Sequence, residues 1–297
     1  MQSNRIAQLI GVLAVLLGIA YLAGVFDSEP STISVPDVDV PTEEVTGLRL
    51  QADTWEVALS RDGGVWRVTE PVSSLADSNT VSRLLNSIAE LELNSVVSTN
   101  VDRHQRYGVD QETGRYLTLT WGDEEYRMVV AAEGPDFSTS YVRLNEEETV
   151  YTGSRIALPT SADQVRDKTL LNIPAELVQS ASVETSEYAY QLAYADGWTI
   201  SESAGPAVAA DSMKVVSWLR RYSPLRFDGF EDELTPDSVD VSTTVSLTLQ
   251  SGLTRTVHMG TRGSDILAYT DGSPQVMRAA ITRLGFLIEE PDEIKAD

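Results

Sequence analysis

Val45–Val68 reads VTGLRLQADTWEVALSRDGGVWRV, and Val178–Ile200 reads VQSASVETSEYAYQLAYADGWTI. In both stretches apolar residues alternate with polar ones, the period of a strand with one buried face. Leu50 matches Val183, Trp55 matches Tyr188 and Val57 matches Tyr190, each pair 133 residues apart. Both stretches then turn at Asp-Gly, at Asp62-Gly63-Gly64 and at Asp196-Gly197. One residue is lost there, so Trp66 matches Trp198 at a spacing of 132. Alternation broken by Asp-Gly is the signature of a β-hairpin. The chain therefore carries one unit twice.

The match continues outward. Ala76-Asp77 precedes SNTVSRLLNSIAEL, and Ala210-Asp211 precedes SMKVVSWLRRY. Each aspartate stands where an N-cap side chain accepts from free backbone N–H groups. Val81, Leu84, Leu85 and Ile88 form a stripe at helical spacing, and Val215, Trp218, Leu219 and Tyr222 repeat it. Such stripes face a core. Strand patterns follow: Tyr116–Trp121 and Tyr126–Val130 about Gly122–Glu125, then Val245–Leu249 and Thr254–His258 about Ser251-Gly252. Here the spacing has drifted to 128, as expected when length changes collect in loops. A short helix near Ala162–Leu171 in the connector and a terminal helix over Val276–Leu284 complete the expectation. The fold class is α+β: two tandem repeats, each a β-hairpin, a helix and an antiparallel sheet.

Before the repeats, Ile6 to Phe26 is a run of 21 residues without a charge. As a helix it would span about 31 Å, close to the roughly 30 Å hydrocarbon core of a bilayer. The run is longer than a signal-peptide apolar region, and Tyr21-Leu22-Ala23 is a poor cleavage site. It reads as an uncleaved transmembrane anchor, so the lipid bilayer is the first partner. Arg5 before the run and Asp27 and Glu29 after it put the N-terminus in the cytoplasm and the body outside. Residues 27–46, with Pro30, Pro36 and Pro41, read as an extended linker. The divisions are 1–26 for tip and anchor, 27–46 for linker, 47–172 for the first repeat with its connector and 173–297 for the second.

Composition removes several functions. Lys and Arg total 22 and Asp and Glu 45, a net charge of −23, which opposes binding to nucleic acid. There is no Cys, so thiol catalysis, disulfides and thiolate metal sites are absent. The two histidines are His104, in a charged stretch that reads as a surface loop, and His258, at the end of a strand. Neither sits in a metal-binding or catalytic motif, and no nucleotide-binding or hydrolase motif occurs. The acidic group Asp228, Glu231, Asp232 and Glu233 has the oxygens for a hard cation but not the alternating spacing of a calcium loop. Trp66 and Trp198 read as core anchors of equivalent hairpins. No catalytic, cofactor-binding or metal-binding residue is assigned. The connector cluster Arg166, Asp167 and Lys168 is the candidate docking site or ionic lock between units; the plainer alternative is a helix end with solvated charges.

The ordered series Trp66, Ala76-Asp77, Tyr107-Gly108-Val109, Tyr141-Val142-Arg143, Tyr151, Arg166-Asp167-Lys168, Leu170-Leu171, Trp198 and Ala210-Asp211 resembles a bacterial family of unknown function, DUF4340. The resemblance covers residues 45–230 well and the last 65 loosely. It implies an anchored extracytoplasmic protein of the bacterial inner membrane. It further implies a place beside ABC transporters of the gliding-motility type, with permease or ATPase subunits as partners. The family has no established catalytic residues to carry over. The expectation is a non-enzymatic accessory or scaffold protein. The alternatives are a ligand- or glycan-binding module using the cleft between repeats, and a carboxylate-based envelope hydrolase.

Overall fold

The computed structural model describes residues 34–202, 205–284 and 287–296. The fold is α+β and dominated by sheet. In the first half lie β1 (Gly47–Ala52), β2 (Trp55–Asp62), β3 (Val65–Glu70), β4 (Ser74–Leu75), α1 (Ser78–Ala89) and β5 (Leu93–Ser98). These are followed by β6 (Arg115–Trp121), β7 (Glu124–Val130), β8 (Thr139–Leu144) and β9 (Val150–Ser154). A connector strand β10 (Thr169–Leu171) leads to β11 (Val178–Thr185), β12 (Ala189–Tyr194), β13 (Trp198–Glu202), β14 (Val208–Ala209) and α2 (Ser212–Leu219). The chain closes with β15 (Leu225–Arg226), β16 (Gly229–Phe230), β17 (Val241–Leu249), β18 (Thr254–Arg262), β19 (Asp265–Thr270), β20 (Met277–Ala280), α3 (Ile281–Leu284) and α4 (Pro291–Ile294).

The strands form two nine-stranded antiparallel sheets with the same order. The first runs β4-β3-β2-β1-β6-β7-β8-β9-β5, and the second β14-β13-β12-β11-β17-β18-β19-β20-β16. The register agrees as well as the order. Leu50 lies between Val57 and Leu117, and Val183 lies between Tyr190 and Val245. Gly63 and Gly64 both have positive φ and close the tight β2–β3 turn, a conformation that favours residues without a Cβ.

Each helix covers one face of its sheet. Val81, Leu84, Leu85 and Ile88 of α1 are buried in the first core. Val215, Trp218 and Leu219 of α2, with Tyr222 just beyond it, are buried in the second. Both caps form as the spacing predicts. Asp77 Oδ1 accepts from Thr80 N at 2.8 Å, and Asp211 Oδ1 accepts from Met213 N at 2.8 Å and Lys214 N at 3.2 Å. The two cores stay separate. The first gathers Val40 to Val165 and the second Leu171 to Ile294. Smaller clusters lie apart from them, around Val109, Val129 and Val150 in the first half and Val239, Leu267 and Val276 in the second.

Four expectations change. Val276–Leu284 is not one helix: Met277–Ala280 is a strand between β19 and β16, and only one helical turn follows. The buried Met277 and Ala279 alternate with Arg278 and Ala280, which a strand accommodates and a helix does not. The connector helix is a 3-10 turn over Ala162–Val165, after which the chain extends into β10. His104 is buried, with Nε2 2.7 Å from the Glu148 carbonyl. From residue 34 the linker lies on the first core: Val40 and Val45 are buried, and Val35 and Val38 pack against the same cluster. Spaced valines supply enough apolar surface to hold this stretch down despite its prolines. The expected anchor, Ile6–Phe26, lies outside the described residues. Among the described residues no helix is long and apolar enough to cross a membrane.

Candidate functional site

The candidate cluster Arg166, Asp167 and Lys168 sits where the two repeats meet. Arg166 is 4 % exposed. Its guanidinium grips Asp232 of the second repeat with two hydrogen bonds, Nη1 to Oδ2 at 2.6 Å and Nη2 to Oδ1 at 2.9 Å. Its carbon Cζ lies 3.5 Å from the Phe230 ring centroid, and Nη1 is 3.4 Å from Asp163. A planar two-pronged cation stacked on a ring is the arrangement that arginine forms and lysine cannot. The buried Arg166 Nε has no hydrogen-bond partner among the described residues. Asp167 faces the local backbone: its N–H donates to the Leu75 carbonyl at 2.9 Å, and Oδ1 accepts from Thr169 N at 3.0 Å. The Lys168 carbonyl accepts from Phe227 N at 2.9 Å. Its ammonium lines a cleft and makes no ion pair among the described residues.

The second repeat reaches back across the same boundary. Thr169 and Leu171 of β10 pair with Arg226 and Leu225 of β15. Arg226 Nη2 donates to Asp77 Oδ2 at 3.2 Å, so the N-cap aspartate of α1 also holds a cation from the following unit. Partial burial pushes the Asp77 carboxyl up, but the Thr80 N–H and the Arg226 guanidinium outweigh it and hold the carboxyl below its usual range. Gln275 Nε2 donates to the Ser73 carbonyl at 3.1 Å. Asp77, Asn79, Thr80, Arg83, Gln164, Arg166, Lys168 and Arg226 line an open cleft of about 500 Å³ at this junction. No large apolar side chain lines it, and its charges are mostly paired.

Arg166 belongs to a repeated clasp. Val165 O accepts from Asp77 N at 2.8 Å, and Ile294 O accepts from Asp211 N at 2.9 Å. Ala76 bridges to Arg166 and Ala210 bridges to Lys295. Asp163 pairs with Arg166 three residues on at 3.4 Å, and Asp292 with Lys295 at 2.7 Å. The shared signature is Asp, any residue, Val or Ile, then Arg or Lys, at 163–166 and 292–295. That four-residue pattern recurs in the sequence at a spacing of 129, a signal that helix and strand periods do not carry. The two basic residues diverge in their further partners. Arg166 crosses to Asp232, whereas Lys295 stays within its own repeat on Glu202 at 2.7 Å.

The other singled-out groups have structural roles. Glu231 receives Arg262 at 2.5 Å and Arg278 at 3.0 Å, and Asp232 receives Arg166, so two of the four acids from Asp228 to Glu233 are held by arginine. Among the described residues no group of three or more metal-ligating side chains gathers. His258 stacks on Tyr269 at 4.8 Å and pairs with Asp271 at 2.8 Å, which holds that carboxyl below its usual range. Trp66 and Trp198 are both buried, and their carbonyls accept from Ala76 N and Ala210 N at 3.1 and 2.9 Å. In the second repeat Trp218 Nε1 and Tyr222 Oη both donate to the Leu287 carbonyl, at 2.7 and 2.9 Å. Burial pushes the Tyr222 and Tyr190 hydroxyls far up. They therefore serve as fixed donors, Tyr190 to the Glu289 carbonyl at 3.0 Å.

No curated protein and no solved structure matches the chain. One family model does, the domain of unknown function DUF4340, over residues 66–251. That stretch runs from the first anchoring tryptophan, through α1, the clasp and the junction, to the β17–β18 turn, and covers more than half of the chain. The chain belongs to the DUF4340 family.

Proposed function

We propose that the chain is a membrane-anchored, extracytoplasmic accessory or scaffold protein that does no chemistry of its own and works with an ABC-type transport system. The anchor is Ile6–Phe26, the N-terminus is cytoplasmic, and the body stands outside the inner membrane. The observation that carries the reading is the way the two repeats are joined. Arg166 locks onto Asp232 and Phe230 from a buried position, and Arg226 locks back onto Asp77. A doubled sheet body fused in this manner offers broad fixed surfaces, which suits a protein that positions other proteins. The packing of residues 34–46 on the first core shortens the tether that the full span 27–46 would give, and so favours a body held close to the membrane.

The cleft between repeats gives less support to a small-molecule site. Its lining is polar, with Asp77 held by Arg226 and Arg166 turned to Asp232, whereas ligand pockets are mostly apolar with a few converging polar groups. Affinity capture of the full chain from detergent-extracted membranes tests the proposal. ABC permease or ATPase subunits should co-purify. Recovery of no membrane partner, with crosslinking also negative, would refute it.

A further inference from the structure

The two repeats present a socket at the same place, and among the described residues only the first receives a cation from the other repeat. In the first, Asp77 caps α1, Asn79, Thr80 and Arg83 line the helix side, and Arg226 of the next repeat enters to pair with Asp77 at 3.2 Å. A spacing of 134 residues carries Asp77, Asn79, Thr80 and Arg83 onto Asp211, Met213, Lys214 and Ser217. Those four, with Arg221, Glu289, Glu293 and Ile294, line an open pocket of about 640 Å³ in the second repeat. Asp211 caps α2 through Oδ1 as Asp77 caps α1, but among the described residues no cation pairs with it. Met213 stands 82 % exposed beside it.

The charge of this second socket suits a cation. Three carboxylates, Asp211, Glu289 and Glu293, face Lys214 and Arg221, and Arg221 is already drawn to Glu289 at 2.5 Å. Glu293 shares a hydrogen bond with Glu289 and lies in its field, and this crowding, eased only by Lys214, holds the Glu293 carboxyl above its ordinary range. An added cation would relieve it. A second copy of this chain is a poor occupant. Its Arg226 already fills its own first socket, and the same spacing of 134 puts Glu92, an exposed acid, at the sister position in the first repeat. Glu92 would meet Asp211 with like charge.

We propose that the second socket receives an arginine-bearing segment of a different protein, its guanidinium on Asp211 and Glu293 and its aliphatic stem against Met213, as Arg226 fills the first socket. The proposal rests on the accessory reading and names the surface through which it acts. The test places a photo-crosslinking residue at Met213 of the full chain in its native membranes, with one at Asn79 as the internal control. The Met213 position should yield an adduct with another protein, and the crosslinked peptide should contain arginine. The adduct should fall about tenfold in the double variant Asp211→Asn, Glu293→Gln, since paired charges at an interface carry effects of that size. Asparagine is as good an N-cap as aspartate, so α2 remains formed, which circular dichroism checks. The Asn79 position should react within the chain, onto the second repeat. No adduct at Met213, an adduct only with lipid or a second copy, a crosslinked segment without arginine, or a yield unchanged in the double variant would each overturn the proposal. Transporter subunits still captured alongside such a failure would leave the accessory reading standing and remove only the socket. Their absence as well would strike that reading itself.

Discussion

The two repeats keep the same core pattern, each in a core of its own, and differ on their surfaces. In each sheet the row Leu50–Val57–Leu117, or Val183–Tyr190–Val245, faces the helix and is buried. One residue along, on the opposite face, the first sheet presents Ala58, Arg49, Thr118 and Arg127 across four strands. The second presents Gln191, Ser182, Ser246 and Thr256 at the same places. Arg49 pairs with Glu56 and Glu70, and Arg127 with Glu125, whereas Ser246 and Thr256 join their hydroxyls at 3.2 Å. Alternation has been kept where a change would expose a core residue, and ionic pairs have been exchanged for hydroxyls where water covers the difference. The surface is therefore where the chemistry of the two halves differs most.

The largest expected effects probe the separateness of the cores. Trp218→Ala removes a fully buried indole and leaves the Leu287 carbonyl with one donor, and should cost about 3–5 kcal/mol. Its counterpart Leu84→Ala should cost about 2–5 kcal/mol. Hydrogen exchange mapped by strand should rise in β11–β13 and β17–β20 for the first change and in β1–β3 and β6–β9 for the second. Equal loosening of both sheets by either one would mean a single cooperative core. Next comes the lock. Arg166→Ala strands Asp232, but that carboxylate is 38 % exposed, so the cost is nearer about 2 kcal/mol than the value for a fully buried pair. Exchange should rise chiefly at β10 and β15, and the double change with Asp232→Ala should cost less than the sum.

A smaller effect separates the two caps. Asp77→Asn keeps the cap on α1 but weakens the hold on Arg226, so it should cost under about 1 kcal/mol. Folding lowers the Asp77 carboxyl, so its stabilisation is present above the unfolded value of about 3.9 and is lost as pH falls through the folded value. Denaturant unfolding between pH 7 and pH 3 should show a shallower acid loss in this variant than in the parent chain. The smallest effect tests the divergence itself. Arg49→Ser, which copies Ser182 into the first sheet, removes only exposed ion pairs and should shift stability by less than about 0.5 kcal/mol.

How legible all this was in the sequence varied with the length of the signal. The hairpins, both helix stripes and both N-caps follow from periods repeated over ten or more residues, and the register of Leu50 and Val183 is where the 133-residue spacing puts it. The strand at Met277–Ala280 escaped because four residues with two alanines fit a helical pattern as well as an alternating one. His104 read as exposed because its neighbours are charged, yet its ring points inward to a carbonyl. The clasp lay hidden because its signature has only four residues and matches by chemical class: Val with Ile, Arg with Lys. In the candidate cluster, Arg166 itself was legible, but Asp232, 66 residues away, could be joined to it only by the folded chain. The socket at Asp211 is legible only as a comparison, since what marks it is the arginine that its sister position holds.

The proposed role is that of a membrane-held double body that partners transport proteins. Fractionating cells that make either the full chain or a form lacking residues 1–33, and capturing both, tests it most directly. The full chain should stay with membranes after alkaline carbonate washing and bring ABC permease or ATPase subunits with it, while the shortened form should be soluble and folded. A full chain released into the soluble fraction, or one that remains in membranes and brings no transport subunit, would contradict the account.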